Sequence, residues 1–433
     1  MKKTLLFIAT LLTSYLGMAQ ETYQPTAENL TAREQFQDEK FGIFLHWGLY
    51  SMMGTTEWIM TNRDINYKEY PKLAKTFYPS EFDADAWVKA IKAAGAKYIT
   101  ITTRHHDGFS LYKTATSTYN SVDGSPFKRD IIKELADACK RHDIKLHLYY
   151  SHLDWGREDY PVGRTGTGTG RPKEKANWAS YYKFMNTQLT ELLTNYGKVG
   201  AIWFDGWWDH DSDAKPFDWQ LEEQYALIHK LQPQCLVANN HHHTPFPGED
   251  IQIFERDLPG ENKAGLSGQS IGRLPLESCQ TINEHWGYNI TDTLYKSPKE
   301  LIQMLVRAAG KNANLLLNIG PEPGGALPEL ALNRLQAIGE WMNKYGETIY
   351  STRGGIVGPH EWGVSTQRGN KLYIHILNCM DSSLFIPTGN HKIKSATVFG
   401  TNKRVTFTKT GNGITLNLDT IPTDIDYIVE LTL

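Results

Sequence analysis

Cysteine is scarce in this chain of 433 residues, and the four that occur, Cys139, Cys235, Cys279 and Cys379, are widely spaced. This scarcity excludes a small fold framed by disulfides, and the spacing excludes a Cys-x-x-Cys metal-binding motif. Concentrated positive charge is also missing, since 45 Lys and Arg are balanced by 48 Asp and Glu without a basic cluster. We therefore expect no nucleic-acid partner, because a phosphate backbone needs such a cluster.

The sequence also lacks an apolar run of about 20 residues, the length that a membrane-spanning helix needs. The apolar stretch TLLFIATLLTSYLG is shorter; it follows Lys2 and Lys3 and precedes small residues ending in Ala19. This order is typical of a secretory signal peptide. We predict that residues 1–19 are cleaved near Ala19 and that the mature chain is periplasmic or extracellular. An uncleaved membrane anchor is the alternative.

Aromatic residues, in contrast, are abundant, with 12 Trp and 22 Tyr. Their flat rings suit ligands that have one apolar face and one edge rich in hydroxyl groups.

From about residue 40, short apolar runs alternate with amphipathic helical stretches, which is typical of parallel strands covered by helices. Seven runs fit strands: FGIFLHW, KYITITT, KLHLYYS, AIWFD, CLVAN, IQIFE and NLLLNIG. Six helical stretches accompany them, and ESCQTI is a candidate for the eighth strand. About ten residues separate the fifth and sixth strands, so one helix is expected to be missing. The pattern predicts a (β/α)₈-like barrel over residues 20–355.

After residue 355 the pattern changes to the two-residue alternation of half-buried antiparallel strands. The segments concerned are NKLYIHIL, IKSATVFG, RVTFTKT, GITLNL and DYIVELTL, with GTNK and TGNG as turns. Residues 356–433 are therefore predicted to form a small β-sandwich.

Polar or aromatic side chains follow nearly every predicted barrel strand. They are His46, His105, His106, Tyr149, Tyr150, His152, Asp205, Asn239, Asn240, His241 and Glu255. Because catalytic groups of such barrels lie at the carboxyl ends of the strands, we expect these side chains to converge on one site. Each could instead have a purely structural role, but agreement among six strand ends favours a site.

Asp205 and Glu255 could supply the two carboxyl groups that hydrolysis of a glycosidic bond requires. One carboxylate attacks the anomeric carbon or directs a water, and the other, kept protonated, gives a proton to the leaving oxygen. The alternative is structural, with Asp205 capping a turn and Glu255 paired with Arg256. The run His241–His243 does not predict a zinc site, since three adjacent residues cannot all face one ion in tetrahedral geometry.

Several blocks of the chain resemble the α-L-fucosidases of glycoside hydrolase family 29. They are KFGIFLHWGLYS, EWIM, TTRHHDGFSLY, YYSHLDW, AIWFDGWW, HWGYN and ANLLLNIGPEPGG, in the order of the family, from residue 40 to about 350. The resemblance implies a retaining exo-enzyme that removes terminal α-L-fucose from glycans through a covalent intermediate. It implies no metal and no organic cofactor.

The resemblance also implies roles for individual residues. Asp205 matches the nucleophile, and Glu255 aligns best with the acid/base, with Glu277 as the first fallback and Glu261 and Glu249 after it. Where relatives often carry an arginine after the fifth strand, this chain has ANNHHH, so His241 is expected to substitute for it. Matches to positions that hold the sugar or line its pocket are His46, Glu57, Trp58, His105, His106, Tyr150, Trp203 and Trp286, the last beside the fucose methyl group.

Two other hypotheses remain: a metal-dependent hydrolase on the same barrel, and a non-catalytic fucose-binding protein. The fucosidase hypothesis requires that the carboxyl groups of Asp205 and Glu255 face each other across one sugar-sized hollow, roughly 5–5.5 Å apart.

Overall fold

The computed structural model describes residues 23–433. The predicted signal peptide, residues 1–19, lies outside the described residues. Within the described part, no helix combines the length and the apolarity needed to cross a membrane.

Eight parallel strands form one sheet in the order β5-β4-β3-β2-β1-β8-β7-β6. The candidate for the eighth strand, ESCQTI (residues 277–282), coincides with β7 apart from Ile282. Between the two ends of the sheet, an isolated bridge joins Ala238 to Ile251 and nearly closes the barrel. The strands are β1 (Phe41–Leu45), β2 (Tyr98–Arg104), β3 (Lys145–Ser151), β4 (Ala201–Asp205), β5 (Leu236–Asn240), β6 (Gln252–Glu255), β7 (Leu276–Thr281) and β8 (Ala313–Ile319).

The helices of the described residues surround this sheet. They are α1 (Ala27–Glu39), α2 (Ile59–Asn62), α3 (Ala84–Ala93), α4 (Ile131–His142), α5 (Trp178–Asn195), α6 (Leu221–Leu231), α7 (Pro298–Gly310) and α8 (Glu329–Tyr345). Local sequence explains several starts: Asp83 and Asp130 cap α3 and α4, and Ser297 forms a capping box with Glu300 at α7. The (β/α)₈-like barrel is therefore confirmed.

Two barrel helices are missing from the described chain, whereas the sequence analysis expected one. The segment between β5 and β6 is too short for a helix and its two turns. The segment between β6 and β7, residues 256–275, is longer, but it contains four glycines and two prolines, which disfavour helix formation. Both strands that flank the near-closure of the sheet are thus followed by loops.

The barrel interior is packed with side chains from alternate strand positions. Phe36 of α1 packs beside Tyr98 and His147 at the amino end of the barrel and closes it from below. Above it lie apolar side chains from the strands, including Phe44, Tyr98, Tyr149, Trp203, Leu236, Ile253 and Leu316.

The C-terminal region forms two antiparallel sheets, β13-β16-β11-β10-β9 and β12-β15-β14. The strands are β9 (Arg353–Gly354), β10 (Gly363–Arg368), β11 (Lys371–Ile376), β12 (Ser383–Ile386), β13 (Ser395–Val398), β14 (Thr406–Thr410), β15 (Gly413–Asn417) and β16 (Tyr427–Thr432). Side chains such as Ile374 and Leu416 form the core between the sheets. Gly310 at the end of α7 approaches Val364 so closely that a side chain there would clash. The sandwich thus packs against α7.

Candidate active site

A pocket of about 330 Å³ opens at the carboxyl ends of the barrel strands. Its size lies within the usual range of small-molecule sites. It is lined by Phe44, His46, Glu57, Trp58, His105, His106, Arg164, Trp203, Asp205, Trp208, Asp211, Asn240, His242, Glu255, Leu266, Cys279 and Trp286. Asp205 and Glu255 therefore share one hollow, together with seven of the residues expected to contact a sugar.

Asp205 ends β4 and is surrounded by hydrogen-bond donors. Its Oδ1 accepts from the Gly206 backbone N–H at 2.8 Å and from the Trp208 indole at 3.0 Å. Its Oδ2 accepts from the Tyr149 hydroxyl at 3.0 Å and lies 3.5 Å from His106 Nε2. These donors orient the carboxylate and stabilise its charge.

Burial raises the pKa of Asp205 to about 6, and the negative charge of Glu255 adds to this rise. The hydrogen bonds from Trp208 and Tyr149 act in the opposite direction. Asp205 is therefore mainly ionised at neutral pH, although it is buried among aromatic rings. The aromatic surroundings keep water away from a carboxylate that remains charged.

Glu255 ends β6 and has two donors of its own. Its Oε2 accepts from Asn240 Nδ2 at 2.7 Å and lies 2.9 Å from His242 Nε2. Burial would raise the pKa of Glu255, but the hydrogen bond and charge of His242 outweigh burial and hold it below its ordinary value. At neutral pH Glu255 is therefore ionised, whereas the sequence predicted that its surroundings would keep it protonated.

Asn240 connects the two carboxylates. Its Nδ2 is 2.7 Å from Glu255 Oε2 and 3.4 Å from Asp205 Oδ1. The two oxygens therefore lie near each other in the same hollow. This arrangement is compatible with the spacing of roughly 5–5.5 Å between the carboxyl groups of retaining glycosidases.

Three buried histidines line the wall from β1 and β2. Burial lowers the pKa of His46 to about 4 and those of His105 and His106 well below the ordinary value, so all three are neutral. His46 Nδ1 lies 2.6 Å from Asn318 Oδ1, and His106 Nδ1 lies 2.7 Å from Ser151 Oγ. These contacts fix the rings, and neutral imidazoles can both donate to and accept from hydroxyl groups.

Aromatic rings form the remaining walls. Trp58 and Trp208 are stacked with ring centroids 5.5 Å apart, and Trp286 lies 5.3 Å from the ring of His46. Glu57 accepts from the backbone N–H of Gly287 at 2.9 Å, which fixes the loop that carries Trp286.

Glu277 lies beneath the pocket, inside the barrel. It accepts from the Tyr98 hydroxyl and the Trp203 indole, both at 3.0 Å. Burial raises its pKa to about 7. Glu277 therefore supports Trp203, which lines the pocket, but does not line it itself.

The α-L-fucosidase family model matches residues 10–347 of the chain. The chain belongs to the α-L-fucosidase family. The plasma α-L-fucosidase of Rattus norvegicus is 29% identical over 456 residues, which cover 96% of this chain and 94% of that protein.

Solved fucosidase structures agree with this membership. α-L-Fucosidase isoenzyme 1 from Paenibacillus thiaminolyticus superposes with a TM-score of 0.83 and 34% identity, covering 94% of this chain and 99% of that one. A family 29 α-L-fucosidase from Bacteroides thetaiotaomicron, described as a trapped covalent intermediate with 2-fluoro-fucosyl fluoride, gives a TM-score of 0.81 and 27% identity. It covers 95% of this chain and 97% of that chain.

Two residues expected in the pocket lie outside it. Tyr150 points away from the barrel axis, and its hydroxyl donates to Gln188 of α5 at 2.8 Å. Tyr149 takes the inward position because it pairs with Trp203, whereas Tyr150 pairs with the outward-facing Phe204. Side chains of a strand alternate in direction, so only one of the two tyrosines can face the pocket.

His241 was expected to take the place of an arginine, but its ring is buried against Glu249, with Nε2 3.0 Å from that carboxylate. The neighbouring His242 lines the pocket instead. The fallback acids also lie elsewhere: Glu249 is held by His241 and Tyr225, and Glu261 pairs with Lys311.

Several residues that line the pocket have no individual role predicted from the sequence, although Asn240 was among the strand-end side chains expected to converge there. They are Phe44, Arg164, Trp208, Asp211, Asn240, His242, Leu266 and Cys279. The alternation of side chains along β5 indicates that Asn240 faces the pocket, because it pairs with Asp205 in the β4–β5 register. Arg164, Asp211 and Leu266 come from loops, and no periodicity marks them. Across residues 23–433, no three His, Cys, Asp or Glu side chains are grouped so that they could hold a metal ion.

Proposed function

We propose that this chain is a retaining exo-α-L-fucosidase that hydrolyses terminal α-L-fucose from glycans. The observation that carries the proposal is the short link between Asp205 and Glu255 through Asn240 in one pocket. The similar fucosidase from Bacteroides thetaiotaomicron was trapped as a covalent intermediate, and this supports a covalent intermediate in the reaction of this chain.

In the first step, an oxygen of Asp205 bonds to the anomeric carbon while the bond from that carbon to the leaving oxygen breaks. Glu255 gives its proton to the leaving oxygen, which departs as a hydroxyl group. The buried donors around Asp205 aim its carboxylate at the carbon, and the aromatic walls exclude competing water.

In the second step, Glu255 takes a proton from a water molecule, whose oxygen attacks the anomeric carbon. The ester bond to Asp205 breaks, the carboxylate is regenerated, and fucose leaves with its original anomeric configuration. Both steps use the same two carboxylates, and no cofactor enters the scheme.

Sugar recognition is assigned to the neutral histidines and the aromatic walls. His46, His105, His106 and Glu57 would exchange hydrogen bonds with ring hydroxyl groups. Trp58, Trp203 and Trp286 would enclose the apolar faces, with Trp286 beside the methyl group, because burying a methyl group against an indole is favourable. We also propose that the chain is exported after cleavage near Ala19.

Labelling with 2-fluoro-α-L-fucosyl fluoride tests the proposal directly. Mass spectrometry of digested protein should place one fluorofucosyl group on the peptide that contains Asp205. Wild-type protein should release nitrophenol from 4-nitrophenyl α-L-fucoside, and NMR should show the α anomer first. Label on another residue, or a β anomer as first product, would refute the retaining assignment.

A further inference from the structure

The two oxygens of Glu255 have different surroundings. Oε2 lies within hydrogen-bond distance of both Asn240 Nδ2 and His242 Nε2, while Oε1 makes no hydrogen bond to any described residue. A carboxyl group that exchanges protons with a substrate needs one oxygen free for that exchange. Oε1 is that oxygen in this pocket.

His242 reaches Glu255 because the loop after β5 takes a sharp turn. The backbone of His242 has a φ of 65°, in the left-handed region that asparagine, aspartate and histidine tolerate best among residues with side chains. This conformation turns the ring into the pocket, while His241 is buried against Glu249 and His243 stays exposed beside Trp207.

The charges near the His242–Glu255 pair come from several elements. Asp205 of β4 raises the pKa of His242, whereas Arg164, from the loop after β3, lowers it. Arg256 lowers the pKa of Glu255 from its own segment. Towards β1 and β7, Glu255 faces His46, which is neutral, and the Cys279 thiol, whose pKa burial raises well above its ordinary value.

We propose that His242 is a positioning residue for the acid/base: as an imidazolium it holds Oε2 of Glu255 together with Asn240, so that Oε1 alone exchanges the proton with the leaving oxygen. This inference rests on the proposed function. His242 keeps its own proton through both steps, and the proton that reaches the leaving oxygen comes from Glu255.

The charge state of His242 supports this assignment. Burial disfavours the imidazolium, but the hydrogen bond to Glu255 and the negative charges of Glu255 and Asp205 raise the pKa of His242 above its ordinary value. A cation beside Glu255 makes it a stronger acid, which matters most for leaving groups that are poor without protonation. Sugar hydroxyls are such leaving groups, whereas nitrophenolate is not.

The test compares His242→Gln and His242→Asn with wild type and with His243→Gln as a matched control. Gln keeps a neutral donor, while Asn suits the left-handed backbone but is too short to reach Glu255. Each enzyme is assayed on a fucosyl-oligosaccharide and on 4-nitrophenyl α-L-fucoside, and kcat/KM is measured against pH for both.

Both His242 variants should lose about tenfold or more in kcat on the oligosaccharide and less than about threefold on the nitrophenyl fucoside. The alkaline limb of kcat/KM should move up by about one pH unit, because the cation that favoured loss of the proton is gone. His243→Gln should behave like wild type in both respects.

Equal losses on both substrates with an unchanged alkaline limb would overturn the inference, since a merely structural histidine would give that result. The proposed function fails differently. In that case wild-type protein would hydrolyse neither fucoside, or Glu255→Ala would retain full activity on the oligosaccharide.

Discussion

The pocket is built differently on its two sides. On the side of β1 to β4, helical segments follow each strand, and the histidines that face the pocket are neutral and fixed by buried partners. On the side of β5 and β6, loops follow the strands, and the groups that face the pocket form the charged His242–Glu255 pair. The near-closure of the barrel lies between these two strands.

This difference suits the two tasks of the enzyme. Recognition of the hydroxyl groups of one sugar is favoured by donors and acceptors that are held in place, and the proposed sugar-binding histidines on the side of β1 to β4 are held in this way. Exchanging a proton with leaving groups and water requires a tunable acid, which the loop-bearing side supplies. The proposed nucleophile, Asp205, lies on the first side, and the proposed acid/base, Glu255, lies on the second.

The largest expected effect on catalysis is that of a substitution on the side of β1 to β4. Asp205→Asn preserves the shape of the side chain but cannot form the ester, so kcat on 4-nitrophenyl α-L-fucoside should fall by about 10⁴-fold or more. Circular dichroism and thermal unfolding check that the variant folds. Turnover near the wild-type level would remove Asp205 from the mechanism.

On the side of β5 and β6, Glu255→Ala should reduce kcat on a fucosyl-oligosaccharide by about 10²–10⁴-fold, the usual contribution of a general acid. Azide should restore turnover of the nitrophenyl fucoside, because the anion fits the space vacated by the carboxylate. Glu277→Ala is the matched comparison, since this acid lies below the pocket. If azide restored the turnover of Glu277→Ala and not that of Glu255→Ala, the acid/base would be Glu277.

The two sides titrate as one system, so kcat/KM should depend on pH as a bell. The productive form holds one proton on the carboxylate pair, with Asp205 ionised and Glu255 protonated. Since the pKa of Asp205 is raised to about 6 and that of Glu255 is lowered, this last proton lies mainly on Asp205, the productive form with the proton on Glu255 is the minor one, and both forms lose the proton near pH 6. Activity should peak below pH 6 and fall roughly tenfold per pH unit above it. A plateau that extends to pH 8 would contradict these shifts.

The smallest expected effect distinguishes the inward-facing Tyr149 from the outward-facing Tyr150 of β3. Tyr149→Phe removes a donor from Asp205 and should lower kcat about tenfold, while other donors still hold the carboxylate. Tyr150→Phe should leave kcat unchanged and lower the free energy of unfolding by about 1 kcal/mol, because the buried Oε1 of Gln188 loses the hydroxyl that donates to it. Urea unfolding and steady-state kinetics of both variants measure the contrast, and a kinetic defect confined to Tyr150→Phe would reverse it.

Much of the fold was predictable, because periodicity of apolar residues reports which faces are buried. The eight strands and the main helices follow from it, as does the C-terminal sandwich. The number of missing helices did not follow, since residues 256–275 are long enough for a helix and only their glycines and prolines argue against one.

The site was predictable where strand ends carry it. Asp205 and Glu255 are last residues of strands, and their meeting follows from the geometry of a parallel barrel. Errors arose at pairs of like neighbours, Tyr149–Tyr150 and His241–His242. In the first pair, the direction of each side chain depends on whether its strand position faces the barrel interior. In the second pair, it depends on a left-handed turn at His242 that no pattern of residue types reveals.

Phe36 and the packed rings beneath Trp203 determine the order in which the products leave the pocket. They make the cavity a dead end, so the fucosyl unit lies deepest and whatever it was attached to lies nearer the mouth. The trimmed glycan must depart before fucose can, and the hydrolytic water must arrive through the space that it vacates. A sugar in the middle of a chain could not be seated there, because the packed rings beneath Trp203 leave no space for its other neighbour.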